Sequence, residues 1–215
     1  KVQKIWKESS INSRIKLVQA AMAYFKENIT SISQDITLQM GKPINQSMNE
    51  VNGLIQRSEI LCELADNALE DISLPKIDGF QRFIRRVPLG VVLDIAAWNY
   101  PLLIAVNVVV PAILAGNAVA IKHSSITPLC AIAFEDAFKT AGAPENLVIS
   151  LIMGHKTTES IIQSGLVQHV AFTGSVVSGI RLLQSASGQL MNVGLELGGK
   201  DPAYIRKDAK LEQVI

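Results

Sequence analysis

Four short segments carry the residue types that do chemistry in this chain: Trp98-Asn99-Tyr100-Pro101, Lys122-His123-Ser124-Ser125, Phe172-Thr173-Gly174-Ser175 and Glu196-Leu197-Gly198-Gly199-Lys200. Taken alone, Asn99 fits a turn residue before Pro101, and Glu196 a surface carboxylate at a strand end. Gly174-Ser175 would expose backbone N–H groups where a strand gives way to a helix, a place that accepts phosphate. Gly and Ser also do this merely to turn and cap, and the usual dinucleotide fingerprint GxGxxG is absent. Residues 194–200 spell GxxxxGK, but Asp201 stands where Ser or Thr must bind magnesium and Glu196 would repel the phosphates, so a nucleotide triphosphatase is rejected.

Positioning these residues requires a regular scaffold, and the sequence supplies one. Ile11, Ile15, Val18, Met22 and Phe25 form one apolar helical stripe behind Ser9 or Ser10 as cap. Gly41 can end a second helix, and Pro43 can open a third running to Ala68. Residues 81–87 and 89–95 are β-prone runs around Pro88, the first bearing Arg82, Arg85 and Arg86, charges suited to an edge strand or a subunit contact.

From residue 91 strands and helices alternate. Strands are expected at 91–97, 118–122, 147–152, 169–172, 193–197 and 203–205, and helices at 101–114, 128–141 behind a Thr127 cap, 156–164 and 176–186. This predicts an α/β fold: a modified Rossmann-like, mostly parallel sheet with helices on both faces and an N-terminal helical segment. In such a sheet ligands sit beyond the carboxyl ends of the strands, where all four segments fall.

Of the 215 residues 48% are hydrophobic and 18% charged, which excludes global disorder. The net charge of +1 gives no field to hold a nucleic-acid backbone. Cys62 and Cys130 are too few for a disulfide framework, no metal-ligand spacing occurs, and no apolar signal core opens the chain, so a reducing cytoplasmic setting is expected and the sequons at Asn28 and Asn45 are taken as chance. Residues 95–121 carry no charge and exceed the about 20 apolar residues of a membrane span. Asn99, Pro101, Asn107, Pro111, Gly116 and Asn117 interrupt them as a buried strand, helix and strand would require, and no membrane is expected as a partner.

Taken in order, the motifs resemble the aldehyde dehydrogenase superfamily: Ile5-Trp6, Met40-Gly41-Lys42-Pro43, PLGVV at 88–92, WNYP at 98–101, PAILAGNAV at 111–119, FTGS at 172–175, LELGGK at 195–200 and DPAYI at 201–205. The resemblance implies oxidation of an aldehyde through a cysteine thioester, with NAD or NADP as hydride acceptor. It implies that Asn99 steadies the oxyanion and that Glu196, expected in an apolar strand end that raises its pKa, activates the hydrolytic water. It further implies a cofactor site of Ile95, Ala96, Trp98, Lys122, Ser125, Gly174, Ser175 and Leu197, with Lys122 at the ribose and Ser175 at the pyrophosphate. Two departures bear on the cofactor: Ala97 replaces the usual proline, and Ser125 stands where many NAD-preferring members have a glutamate.

The resemblance divides the chain into N-terminal helices at 1–74, edge or oligomerisation-type strands at 77–95 and Rossmann-like units at 91–215. It places the nucleophile in a catalytic domain beyond this sequence, whose ends, with a helical pattern starting at 210–215, look like those of a fragment. Homo-oligomerisation is expected of the parent. A different class of reading, a non-catalytic paralogue serving as scaffold or subunit partner, is separated from the enzyme reading by dinucleotide binding, and a membrane-inserted protein by partition into detergent.

Overall fold

The computed structural model describes residues 1–210, 212 and 214, so the expected helical pattern over 210–215 lies largely outside them. Four helices come first: α1 (Val2–Trp6), α2 (Ile11–Glu27), α3 (Ile29–Met40) and α4 (Ile44–Leu69). Ser10 caps α2 by accepting from the Ser13 N–H at 3.2 Å, and Gly41, at φ 79°, ends α3 in the left-handed conformation that glycine adopts without steric cost. Strands β1 (Ile72–Ser73) and β2 (Phe83–Ile84) then form a short antiparallel ribbon.

The remainder is the alternating unit: β3 (Val91–Ala96), α5 (Pro101–Leu114), β4 (Ala118–His123), α6 (Pro128–Thr140), β5 (Val148–Ser150), α7 (His155–Gln163), β6 (His169–Gly174), α8 (Val176–Ala186), a 3-10 turn at Ser187–Gln189, and β7 (Asn192–Leu197). The five strands from β3 onward form one parallel sheet in the order β5-β4-β3-β6-β7. One face packs against α5, α6 and the N-terminal helices around Phe25, Phe134, Phe138 and Ile113. The other carries the smaller core of Leu93, Ile162, Val170 and Leu182 beneath α7 and α8. The α/β architecture with helices on both faces is thus as expected.

The chain leaves β3 toward β4 and β5 on one side, then returns to add β6 and β7 on the other. The strand order therefore reverses between β3 and β6, and a crevice opens past their carboxyl ends at such a reversal.

Helix α5 is held at both ends. At its carbonyl end the Trp6 indole donates to Ile113 O at 3.0 Å and Arg14 Nη1 to Leu114 O at 3.0 Å, cationic capping where the helix dipole favours it. The chain escapes through Gly116 at φ 85°, where a Cβ would lie 2.8 Å from the Arg14 guanidinium. At its amino end the Glu50 carboxylate accepts from the backbone N–H groups of Leu102 and Leu103.

Several expectations are corrected. Residues 203–205 form no strand; they are exposed and pair with nothing among the described residues. The β-prone run at 81–87 contracts to Phe83–Ile84, its alternation left without an apolar face to cover, and the next strand starts only at Val91. The strand expected at 147–152 shortens to Val148–Ser150, and the helix expected at 156–164 runs from His155 to Gln163. Thr127 takes the cap position of α6 without a side-chain bond; the Gln39 Oε1 accepts from the Leu129 N–H at 2.9 Å instead. The uncharged stretch resolves into β3, α5 and β4, and no described helix is long and apolar enough to cross a membrane.

Candidate functional site

At the strand-order reversal lies a cavity of about 500 Å³. Its floor is apolar: Ile95 and Ala96 end β3, and Phe172 and Leu182 close it from β6 and α8. Trp98, 48% exposed, stands at its rim. Of the residues expected to bind a cofactor, Ile95, Ala96, Trp98, Lys122, Ser125, Gly174 and Ser175 all line this one cavity, although the sequence scatters them over three strand ends.

Lys122 pairs in register with Ile95 and turns into the cavity. It is 6% exposed, and burial lowers its pKa. Among the described residues its ammonium makes no hydrogen bond or ion pair, so it is a buried cation with bonding capacity to spare. Two helices begin at the same cavity. Ser175 caps α8, its Oγ accepting from the Ser178 N–H at 3.2 Å. Gly154 precedes α7 and supplies no side-chain cap, which leaves the first-turn N–H groups of that helix facing the opening. Gly174 permits the backbone to pass close to the Phe172 ring, since a Cβ there would lie 2.5 Å from Phe172 Cζ.

This donor set suits a dinucleotide: helix N-termini and a lysine for phosphates and ribose hydroxyls, with an apolar floor for a ring. Sequence reasoning missed Gly154, His155, Thr158, Ser178 and Arg181 in the lining. The signal for the first two was available, because they follow β5 as the noted motifs follow their own strands.

Three expected site residues lie outside the cavity. Leu197 packs under α8, so close that a Cβ on Gly179 would meet its Cδ2 at 2.8 Å. Glu196 is exposed at the end of edge strand β7 and not in the apolar setting expected of it. Asn99 is exposed in the turn before α5, and its backbone carbonyl accepts from Lys42 Nζ at 2.8 Å.

Neither cysteine has the character of a nucleophile. Burial pushes the Cys62 thiol up to about 11 and the Cys130 thiol up to about 12, with Glu50 adding to the latter. The helix N-terminus that could have lowered the Cys130 pKa is outweighed by desolvation. Among the described residues no cluster of side chains is arranged to hold a metal ion. A more open cleft of about 1070 Å³, between Lys7, Arg14, Glu70 and Arg86, lies away from the strand ends and gathers none of the expected site residues.

The family model described as "Aldehyde dehydrogenase family" matches residues 1–215. A protein of Synechocystis sp. named probable succinate-semialdehyde dehydrogenase (NADP(+)) is 36% identical over 180 residues, which cover 84% of this chain and 39% of the relative. The 4-trimethylaminobutyraldehyde dehydrogenase of Rattus norvegicus is 35% identical over 213 residues, 99% of this chain and 43% of its own. The succinic semialdehyde dehydrogenase of Streptococcus pyogenes, solved in complex with NADP+ as the cofactor, superposes with a TM-score of 0.88 at 26% identity, covering 99% of this chain and 47% of that one. The chain therefore spans about two fifths of the length of the relatives it matches. By its full-length match, its fold and its similarity to these enzymes, the chain belongs to the aldehyde dehydrogenase family.

Proposed function

We propose that these 215 residues form the dinucleotide-binding part of an NAD(P)-dependent aldehyde dehydrogenase, comprising N-terminal helices, an edge ribbon and Rossmann-like units. The observation that carries this reading is the cavity at the β3–β6 reversal, where an apolar floor, the buried Lys122 and two helix N-termini converge. When bound there, the dinucleotide supplies the hydride acceptor for aldehyde oxidation. The similarity to relatives named for NADP(+), or solved with it, supports NADP+, and the similarity to a solved NAD-dependent aldehyde dehydrogenase of Sinorhizobium meliloti supports NAD+.

In this proposal Lys122 donates to the ribose and attracts a 2′-phosphate, and Ser125, neutral and exposed, tolerates either dinucleotide. Gly174 and Ser175 present the α8 N-terminus to the pyrophosphate. Trp98, Ile95 and Ala96 line the floor and rim, and Leu197 supports α8 from below. The Asn99 amide, which makes no side-chain hydrogen bond among the described residues, is free to donate to an oxyanion. Glu196, open to solvent at the end of β7, takes the proton of the hydrolytic water. The attacking thiolate comes from neither Cys62 nor Cys130, so these residues alone bind the dinucleotide and do not turn over.

The substrate is a small aldehyde, and copies of the protein associate through the ribbon, whose Phe83 and Ile84 are exposed beside Arg82, Arg85 and Arg86. The test is rapid-mixing kinetics on a protein that joins this chain to the nucleophile. Glu196→Gln should retain a burst of hydride transfer and stall hydrolysis, whereas Asn99→Ala should slow the burst itself, by about 10²-fold, as loss of an oxyanion donor does. Equal loss of burst and steady state in Glu196→Gln would remove Glu196 from the hydrolytic step.

A further inference from the structure

Asn99 stands in a turn whose two sides are gripped by one buried ion pair. Lys42, in the connection between α3 and α4, is 8% exposed, and Glu50, on α4, is 3% exposed. Lys42 Nζ donates to Glu50 Oε2, and the same ammonium donates to the Asn99 carbonyl at 2.8 Å and lies 4.0 Å from the centroid of the Tyr100 ring. Glu50 Oε1 accepts from the Leu102 N–H at 2.9 Å and the Leu103 N–H at 3.3 Å. The residue at the cap position of α5, Tyr100, provides no side-chain cap, so a carboxylate from another helix does that work. One pair thus fixes the carbonyl of Asn99, the ring of Tyr100 and the first two N–H groups beyond Pro101.

We propose that Lys42 and Glu50 are positioning residues that hold the Asn99 amide in register with the reacting carbonyl. The proposal rests on the reading of Asn99 as oxyanion donor. Its physical basis is the arrangement itself. Two opposite charges are desolvated together, every bond they make beyond each other among the described residues goes to this turn or to the first N–H groups of α5, and the Asn99 side chain is left unengaged by any of those residues. Neither side chain lines the dinucleotide cavity. The pair therefore acts on the chemical step and not on cofactor affinity. Displacement of a catalytic group by about 1 Å can cost on the order of 10²-fold in rate.

The experiment compares Lys42→Met, Glu50→Gln, Asn99→Ala and Arg14→Gln in the catalytically competent protein that carries this chain, with hydrogen exchange at the Leu102 amide followed in the 215-residue chain. Arg14 grips the opposite end of α5 and does not touch the turn, so it controls for general loosening of the helix. Lys42→Met and Glu50→Gln should slow the hydride-transfer burst about tenfold or more, speed Leu102 exchange, and leave the dinucleotide Kd within about twofold of wild type. Arg14→Gln should lower the melting temperature and leave the burst rate unchanged. Should Glu50→Gln fail to fold, Lys42→Met carries the same comparison. If Asn99→Ala slows the burst and neither pair variant does, the positioning role falls while the oxyanion reading stands. If Arg14→Gln slows the burst as much as the pair variants, the pair is merely structural and the proposal is overturned. If Asn99→Ala leaves the burst unchanged, the oxyanion reading fails and the positioning role with it.

Discussion

Ser125 sits on the loop that follows Lys122, at the cavity and open to solvent. A carboxylate at this position could accept from both ribose hydroxyls of NAD+ and would oppose the 2′-phosphate of NADP+. Two unit charges about 4 Å apart at an effective dielectric near 20 repel by about 4 kcal/mol before screening. Ser125→Glu should therefore move the ratio of NADP+ to NAD+ affinities toward NAD+ by about tenfold or more, less at high salt. Calorimetry at two salt concentrations checks this, and an unchanged ratio would take position 125 out of the ribose site. His123, next along β4, titrates in the opposite environment. Both ring nitrogens are buried without partners, and burial with the neighbouring Lys122 charge lowers its pKa from 6.5 to about 3. The unfolded chain then binds a proton that the folded chain refuses, so stability is lost as pH falls below about 6.5 toward about 3, by up to about 1.4 kcal/mol per pH unit. Asp94, pushed well above the usual carboxylate range by complete burial, has the reverse sign and costs stability as pH rises past 3.8. His123→Leu should abolish the acid-side loss and leave the Asp94 trend; urea unfolding at pH 5 and 7 reads the difference, and an unchanged slope would contradict the assignment.

Helix α8 illustrates how an element serves both stability and binding. Ser175 caps it, so Ser175→Ala should cost about 1 kcal/mol of stability, measurable as a lower urea midpoint. Because the same N-terminus faces the cavity, dinucleotide affinity should fall in parallel; stability lost with affinity intact would separate the cap from the binding site. The elements that the sequence made legible share a physical cause. Strands β3 and β4 are covered on both faces and produce apolar runs bounded by Gly and Asn, and β6, buried at Val170 and Phe172, keeps a shorter one. Where cover is missing the pattern misleads. Residues 81–87 and 203–205 are β-prone but exposed, and only Phe83 and Ile84 of the first are paired as strand. The site was legible in the same way, since residues just past strand ends converge whatever their separation along the chain. The Lys42–Glu50 pair was not, because Lys42 stood in a turn motif and Glu50 inside a helix, and only the packing of α4 on α5 brings them to Asn99.

At the scale of the whole molecule, α5 connects the turn that carries Asn99 with the cavity. Its amino end is clamped by α4 beside Asn99, its carbonyl end by α1 and α2, and the strands it joins bring Ile95, Ala96 and Lys122 to the cavity. The N-terminal helices are thus the frame that fixes the turn carrying Asn99 against the strand ends carrying Lys122 and Gly174. The proposed function makes the crevice at the strand-order reversal a preformed dinucleotide site. Titration calorimetry of NADP+ into the 215-residue chain tests it most directly, with Lys122→Met and Cys130→Ser measured alongside. Saturable binding at one site, weakened about tenfold or more by Lys122→Met, as loss of a charge-assisted bond requires, and unaffected by Cys130→Ser, is the predicted result. No heat of binding for either NADP+ or NAD+ to the folded wild-type chain, or an affinity indifferent to Lys122→Met, would contradict it.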